Sequence, residues 1–167
     1  NGDRVHITTN KNQKPTEGWL KMVVTGRARS KIRSAMKEKR KKIESYGTRI
    51  VIAGADSSLA EVHAKSLAES EGQTYVSPYN DAEVIAGQGT IGLELLEQLP
   101  KIDNVFISMG GGGLISGIGS VLKAMSPGTR IIGVSAQNSA ALAASVAAGQ
   151  VTEVAHHDTL ADGCAGG

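Results

Sequence analysis

Four consecutive glycines, Gly110, Gly111, Gly112 and Gly113, follow an apolar run, VFISM at 105–109, and lead into LISGIG at 114–119. Without Cβ atoms, successive backbone N–H groups can turn toward one point. A helix starting there adds N–H groups with no intrahelical acceptor and the positive end of its dipole. A phosphate dianion fits such a cradle. In open α/β sheets ligands bind beyond the carboxyl ends of strands, which is where this loop stands. It is not a dinucleotide fingerprint, because G-x-G-x-x-G counted from Gly110 lands on Ile115 and from Gly111 on Ser116. The Lys-Ser/Thr pair of the nucleotide P-loop is also missing. A tight strand-to-helix turn without a ligand is the plainer alternative, although four glycines exceed what a turn needs.

Charge is concentrated at 27–42, where Arg27, Arg29, Lys31, Arg33, Lys37, Lys39, Arg40, Lys41 and Lys42 are accompanied by one acid, Glu38, in a chain of net charge +2. Such a block either meets the phosphates of a nucleic acid or anionic ligand, or forms a solvated helix face. The solvated face is the commoner outcome, and with no interleaved aromatics to stack bases, nucleic acid is a minor expectation. His156, His157 and Asp158 lack the spacing and supporting ligands of a metal site, so no metal is expected there and the histidines read as exposed loop residues. A single cysteine, Cys164, excludes an intrachain disulfide framework and points to a reducing compartment, with the cytoplasm as default.

The elements that must position the loop alternate in type. Residues 1–33 are poorly patterned and read as loop or frayed strand, with one brief apolar piece at 19–24. Residues 34–46 read as a helix with Met36, Ile43 and Tyr46 on one side, and Gly47 stands where a left-handed cap belongs. A β-branched strand at 49–53 follows. Asp56 or Ser57 caps the next helix, which runs to about Gly72 with Ala60, Val62, Ala64, Leu67 and Ala68 as its stripe. A short strand at 74–76 and a polar turn at 79–81 lead to a helix over 81–99, whose Gly87, Gly89 and Gly92 suggest close packing. Then come a strand at 105–109, the glycines, a helix over 117–125, a turn at Pro127-Gly128, a strand at 130–134 and an alanine-rich helix over 139–148 closed by Gly149. Strands alternating with helices predict an α/β fold with a mostly parallel sheet and flanking helices, although the stretches 49–76 and 105–134 can belong to one sheet or to two.

Composition supports that reading. The chain has 167 residues, 40% of them hydrophobic, with 21 glycines and few aromatics, which suits one α/β core built from Val, Ile, Leu and Ala. No apolar run approaches the ~18 residues of a membrane span, and the opening NGDRVHITTN lacks a secretory signal's apolar stretch.

Residues 75–134, YVSPYNDAEVIAGQGTIGLELLEQLPKIDNVFISMGGGGLISGIGSVLKAMSPGTRIIGV, resemble the fold-type-II pyridoxal-phosphate enzymes of the threonine dehydratase and serine racemase type. The likeness continues through TLADGCAGG at 159–167 and covers roughly 34–167, the α/β region. The blocks EVIAGQGTIGLE and GGGGLISGI are specific together. The resemblance implies a tryptophan-synthase-β-like fold, pyridoxal 5′-phosphate as cofactor, and its phosphate on Gly110, Gly111, Gly112 and Gly113, with Leu114 adjoining. It implies a small-molecule amino acid substrate, L-threonine or L-serine, losing its β-hydroxyl to give a 2-oxo acid and ammonia.

That chemistry needs a lysine that forms a Schiff base and moves protons. The family's motif is Ser-Phe-Lys-x-Arg-Gly-Ala, and the nearest text here is RSKIRSA at 29–35, which makes Lys31 the candidate catalytic residue. Ser30 is adjacent to Lys31 instead of two before it, and Ser34 replaces the glycine. The same stretch also aligns with the family's helix before Tyr46-Gly47, which leaves Lys31 a surface lysine. The family's Ser-Ser-Gly-Asn-His loop has no counterpart. Ser135 stands where metal-dependent relatives place a Glu ligand, and Asp162-Gly163 lines the cofactor side by analogy. The chain stops before the family's later strands. The expectation is therefore a region truncated at its C-terminus: a lyase, or alternatively a catalytically inactive fragment that keeps a phosphate-binding loop or a subunit contact. An incomplete sheet exposes apolar surface and unpaired edges, which favours association into homo-oligomers.

Overall fold

The computed structural model describes residues 19–54, 57–155, 157, 159, 161 and 164. The chain divides into two units, residues 1–50 and 51–167. In the first, α1 (Trp19–Met22) precedes α2 (Gly26–Glu44). The helix at 19–22 replaces the loop or strand expected of that apolar piece, while residues 1–18 lie outside the described set. α2 starts eight residues before the expected Ser34. Extended Thr25 caps it, its Oγ1 accepting from the Ala28 N–H at 3.2 Å, and Arg and Lys sustain the helix by propensity without an apolar stripe. Ile32 is its buried residue, whereas Ile43 and Tyr46 are exposed, so the expected apolar side is not the buried one. The basic block is the exposed surface of this helix.

In the second unit, α3 (Ser57–Ser70), α4 (Ala82–Gln98), β1 (Asn104–Ser108), α5 (Gly113–Met125), β2 (Arg130–Val134) and α6 (Ala141–Ala148) follow in order. β1 and β2 pair in parallel, Asn104 opposite Arg130 through Ser108 opposite Val134. Among the described residues the sheet has these two strands. The strands expected at 49–53 and 74–76 do not form. Their β-branched residues Val51, Ile52 and Val76 are exposed, and a β-branched run becomes a strand only where a neighbour supplies the ladder.

α5 packs on the sheet through Leu114, Ile118 and Leu122, spaced four apart. Ile118 and Leu122 join Ile107 of β1 in the core, with Leu96, Val105 and Ile131 packed around them. α4 begins where Asp81 Oδ1 accepts from the N–H groups of Glu83 (3.0 Å) and Val84 (3.3 Å). α4 and α5 meet through glycine: a Cβ on Gly92 would lie 3.0 Å from Val121 Cβ, and one on Gly117 would lie 2.7 Å from the Gly89 nitrogen. α5 begins at Gly113, four residues before the expected Gly117, so the last glycine of the run is helical. Asp56, proposed as a cap, is outside the described residues, and α6 is closed by left-handed Gly149 as the sequence predicts. No described helix is long and apolar enough to cross a membrane.

Candidate functional site

The glycine run joins β1 to α5 beyond the carboxyl end of the strand. Its entrance is pinned to β2, because the Met109 N–H donates to the Val134 carbonyl at 2.8 Å and the Ser135 hydroxyl donates to the Met109 carbonyl at 2.7 Å. Ser135 thus braces the loop. The turn into the helix is made at Gly112, whose φ of +93° lies in the left-handed region that a side chain disfavours. The first helical bond, Ser116 N–H to the Gly112 carbonyl at 2.9 Å, leaves the N–H groups of Gly113, Leu114 and Ile115 in the first turn, where the helix supplies no acceptor. No side chain caps this terminus.

A cleft of about 300 Å³ lies over the loop, lined by all four glycines, Leu114, Ser108, Pro78, Tyr79 and Gln88. The glycines also let neighbouring groups approach closely. A Cβ at Gly111 would enter the Tyr79 ring, and one at Gly113 would lie 2.7 Å from Tyr79 Cα. A Cβ at Gly112 would lie 2.8 Å from Leu142 Cδ2. Leu114, which lines the cleft, also packs against the core. Uncapped first-turn donors at the floor of a cleft, with a left-handed glycine before them, form a cradle suited to a phosphate.

Tyr79 connects this loop to α3. Its hydroxyl donates to Glu61 Oε2, and the Tyr75 hydroxyl donates to Glu61 Oε1 at 2.9 Å. Desolvation, then the hydrogen bond and charge of Glu61, push the Tyr79 phenol up to about 12. Tyr75 is raised too, by desolvation first and by Glu61 next. Lys65 stands over the Tyr75 ring, its Nζ 5.5 Å from the centroid. These groups, with Ser77, Asn80 and Asp81, line a second cleft of about 270 Å³.

Of the residues singled out by sequence, Gly110, Gly111, Gly112, Gly113 and Leu114 are brought together in one cleft. Lys31 is carried by α2 of the other unit, exposed and beside buried Ile32. α2 runs unbroken through RSKIRSA and ends just before Tyr46-Gly47, as the helix alignment of that stretch requires. His156, Asp158, Asp162 and Gly163 lie outside the described residues, and His157 is exposed, its backbone N–H donating to the Asn138 carbonyl at 2.9 Å. Among the described residues no three His, Cys, Asp or Glu side chains are grouped to hold a metal ion. Sequence reasoning missed Tyr79, Glu61 and Leu142. One signal was there, since two of only three tyrosines flank Ser77-Pro78 four residues apart.

Residues 21–167 match the family described as pyridoxal-phosphate dependent enzyme. The chain is 43% identical over 119 residues to the catabolic L-threonine dehydratase of Escherichia coli (strain K12), covering 71% of this chain and 36% of that protein. It is 39% identical over 131 residues to the catabolic L-threonine dehydratase of Staphylococcus aureus (strain bovine RF122 / ET3-1), covering 78% and 38%. Among solved structures, the processed form of threonine deaminase isoform 2 from Solanum lycopersicum matches with a TM-score of 0.71 at 39% identity, over 78% of this chain and 38% of that one. Maize serine racemase matches at 0.68 and 36% identity, over 77% and 40%. The chain therefore spans well under half the length of these relatives.

Proposed function

Because the chain belongs to the pyridoxal-phosphate-dependent enzymes and has the α/β fold of their tryptophan-synthase-β-like members, we propose that it serves a dehydratase converting L-threonine or L-serine to a 2-oxo acid and ammonia. The observation that carries this reading is the uncapped start of α5 at the floor of the glycine-lined cleft. The residues present fit the cofactor's phosphate: the N–H groups of the 110–113 loop and of Leu114 would hold it, and the α5 dipole favours its charge. The bound cofactor supplies an electron sink that makes the Cα proton of an amino acid acidic and the β-hydroxyl a leaving group. On this chain, Tyr79 and Leu142 wall the loop, and Ser135 fixes its entrance. Lys31 is the one lysine that a motif supports for holding and moving the proton. Exposure of Lys31 on α2 favours a second reading, in which the chain binds phosphate and does no chemistry by itself.

The small-molecule substrate follows from the dehydratase reading, and a single cysteine suits a cytoplasmic setting. Among the described residues the β1–β2 pair has open edges, which favours a homo-oligomer. Incubation with pyridoxal phosphate, a visible spectrum, borohydride reduction and mapping of the modified lysine test the proposal. Saturable labelling confined to Lys31, with 2-oxo acid released from threonine or serine, is the expected result. Labelling scattered over 27–42 with no product leaves only the phosphate-binding reading.

A further inference from the structure

We propose that Glu61, Tyr75 and Tyr79 form a clasp that holds the glycine loop in its phosphate-binding shape, with Tyr79 as the positioning residue; this rests on the reading of that loop as the phosphate site. Tyr79 is the one described residue that lines both clefts. Its ring lies on Gly111 and its backbone on Gly113, so it forms one wall of the loop. Its hydroxyl is fixed from the far side by Glu61 of α3, and the second oxygen of that carboxylate accepts from Tyr75. Both oxygens of one carboxylate are thereby committed to phenols, and hydrogen bonds to an ionised acceptor are the strong kind.

The segment that carries Tyr79 is held at both ends. The Asn80 N–H donates to Ser77 Oγ at 3.1 Å, and Asp81 caps α4, which packs by glycine contact against α5 itself. A run of four glycines has more backbone freedom to lose on binding than any other tetrapeptide. A wall that removes part of that freedom beforehand lowers the ordering cost of seating a phosphate. Glu61 contributes by keeping the ring against Gly111. Cutting the phenol from the carboxylate leaves the ring in place but free to swing, so the loop regains mobility without losing its packing atoms.

The test uses the full chain, pyridoxal 5′-phosphate as probe and pyridoxal, which lacks the phosphate, as its comparison, titrated by absorbance and fluorescence. Tyr79→Phe and Glu61→Ala are each expected to weaken pyridoxal phosphate binding by about tenfold, the scale of one hydrogen bond to a charged group. The double variant should be little worse than either single, because both remove the Tyr79–Glu61 bond. Pyridoxal binding should barely move, and the thermal midpoint should fall only by what the lost hydrogen bonding contributes. Unchanged affinity for pyridoxal phosphate in both single variants overturns the clasp while leaving the loop as the phosphate site. Equal losses for the two probes also overturn it, since they mark a role in stability alone. No preference of the wild-type chain for the phosphorylated probe overturns the clasp and the functional reading together. Should Tyr79→Phe fail to fold, Glu61→Ala, with every ring retained, decides the matter.

Discussion

Along α2 a cap and good helix formers run for 19 residues with one buried side chain, Ile32. Along α4 and α5 the helices touch where side chains are absent, with Gly89 and Gly92 against Val121 and Gly117 against the backbone of residues 85–89. The first region is a helix because of its local sequence; the second is positioned by what cannot be added to it. Function follows the second. The glycine contacts fix how α4 and α5 cross, α5 begins at the glycine loop proposed to hold phosphate, and the segment leading into α4 carries Tyr79 onto that loop. Exposed basic residues on α2 are expected to tolerate exchange, whereas a methyl group at Gly117 does not fit.

Gly117→Ala should break this contrast most severely if it is wrong. The added carbon would fall on the Ile85 carbonyl oxygen and within 2.7 Å of the Gly89 nitrogen, both backbone atoms that cannot swing aside. Overpacking of this kind is expected to cost about 2–3 kcal/mol. Lys37→Ala on α2 should stay within about 0.5 kcal/mol, as surface changes do. Thermal or denaturant unfolding of the two variants checks both. Equal effects would mean that the α4–α5 contact gives way easily and does not fix the cradle.

How much of this was legible depended on whether a signal was local. The glycine run and the strands expected at 105–109 and 130–134 follow from neighbouring residues, and the structure has them, the first strand one residue earlier, at Asn104–Ser108. The strands at 49–53 and 74–76 depended on ladder partners, which a one-dimensional pattern does not supply. α2 began early because Thr25 and a basic run make a helix without any apolar period, so a search for periodicity started it at Ser34. The clasp was hidden for a different reason. Glu61 looked like the polar side of an amphipathic helix, and Tyr79 like part of a turn, and only the third dimension makes them partners.

Gly112→Ala sharpens the same contrast at the cradle itself. Its φ of +93° and the Leu142 methyl at 2.8 Å both oppose a side chain. The expected loss is about 1–2 kcal/mol of stability from backbone strain. Saturable binding of pyridoxal phosphate should fall with it. Full binding by a stable Gly112→Ala chain would show that the left-handed turn is not what aims the N–H groups.

The Tyr79 clasp makes the loop region sensitive to alkali. The unfolded phenol loses its proton near 10, whereas in the folded chain desolvation and Glu61 hold that proton to about 12. Between those values the folded state binds the extra proton, so stability falls as pH rises from about 10 to 12, and below that window the stabilisation is fully present. Denaturant midpoints across this range should fall more steeply for the wild-type chain than for Tyr79→Phe. Parallel curves would show that the Glu61 bond does not persist in solution.

The smallest expected effect runs in the opposite direction, within α4 itself. Gly87 is two positions from Gly89 on the same helix, yet a Cβ there meets nothing within 4 Å. Helix propensity then acts alone, and Gly87→Ala should stabilise by about 0.5–1 kcal/mol, chiefly by restricting the unfolded chain. Gly89→Ala, with the Gly117 carbonyl and a Val121 methyl at 3.3 Å, should gain less or lose slightly. The difference between these two alanines measures how tightly α5 is held, because propensity contributes equally to both. If both variants were stabilised to the same degree, the crossing would have room to spare, and the glycines of α4 would owe their places to something other than the helix that carries the cradle.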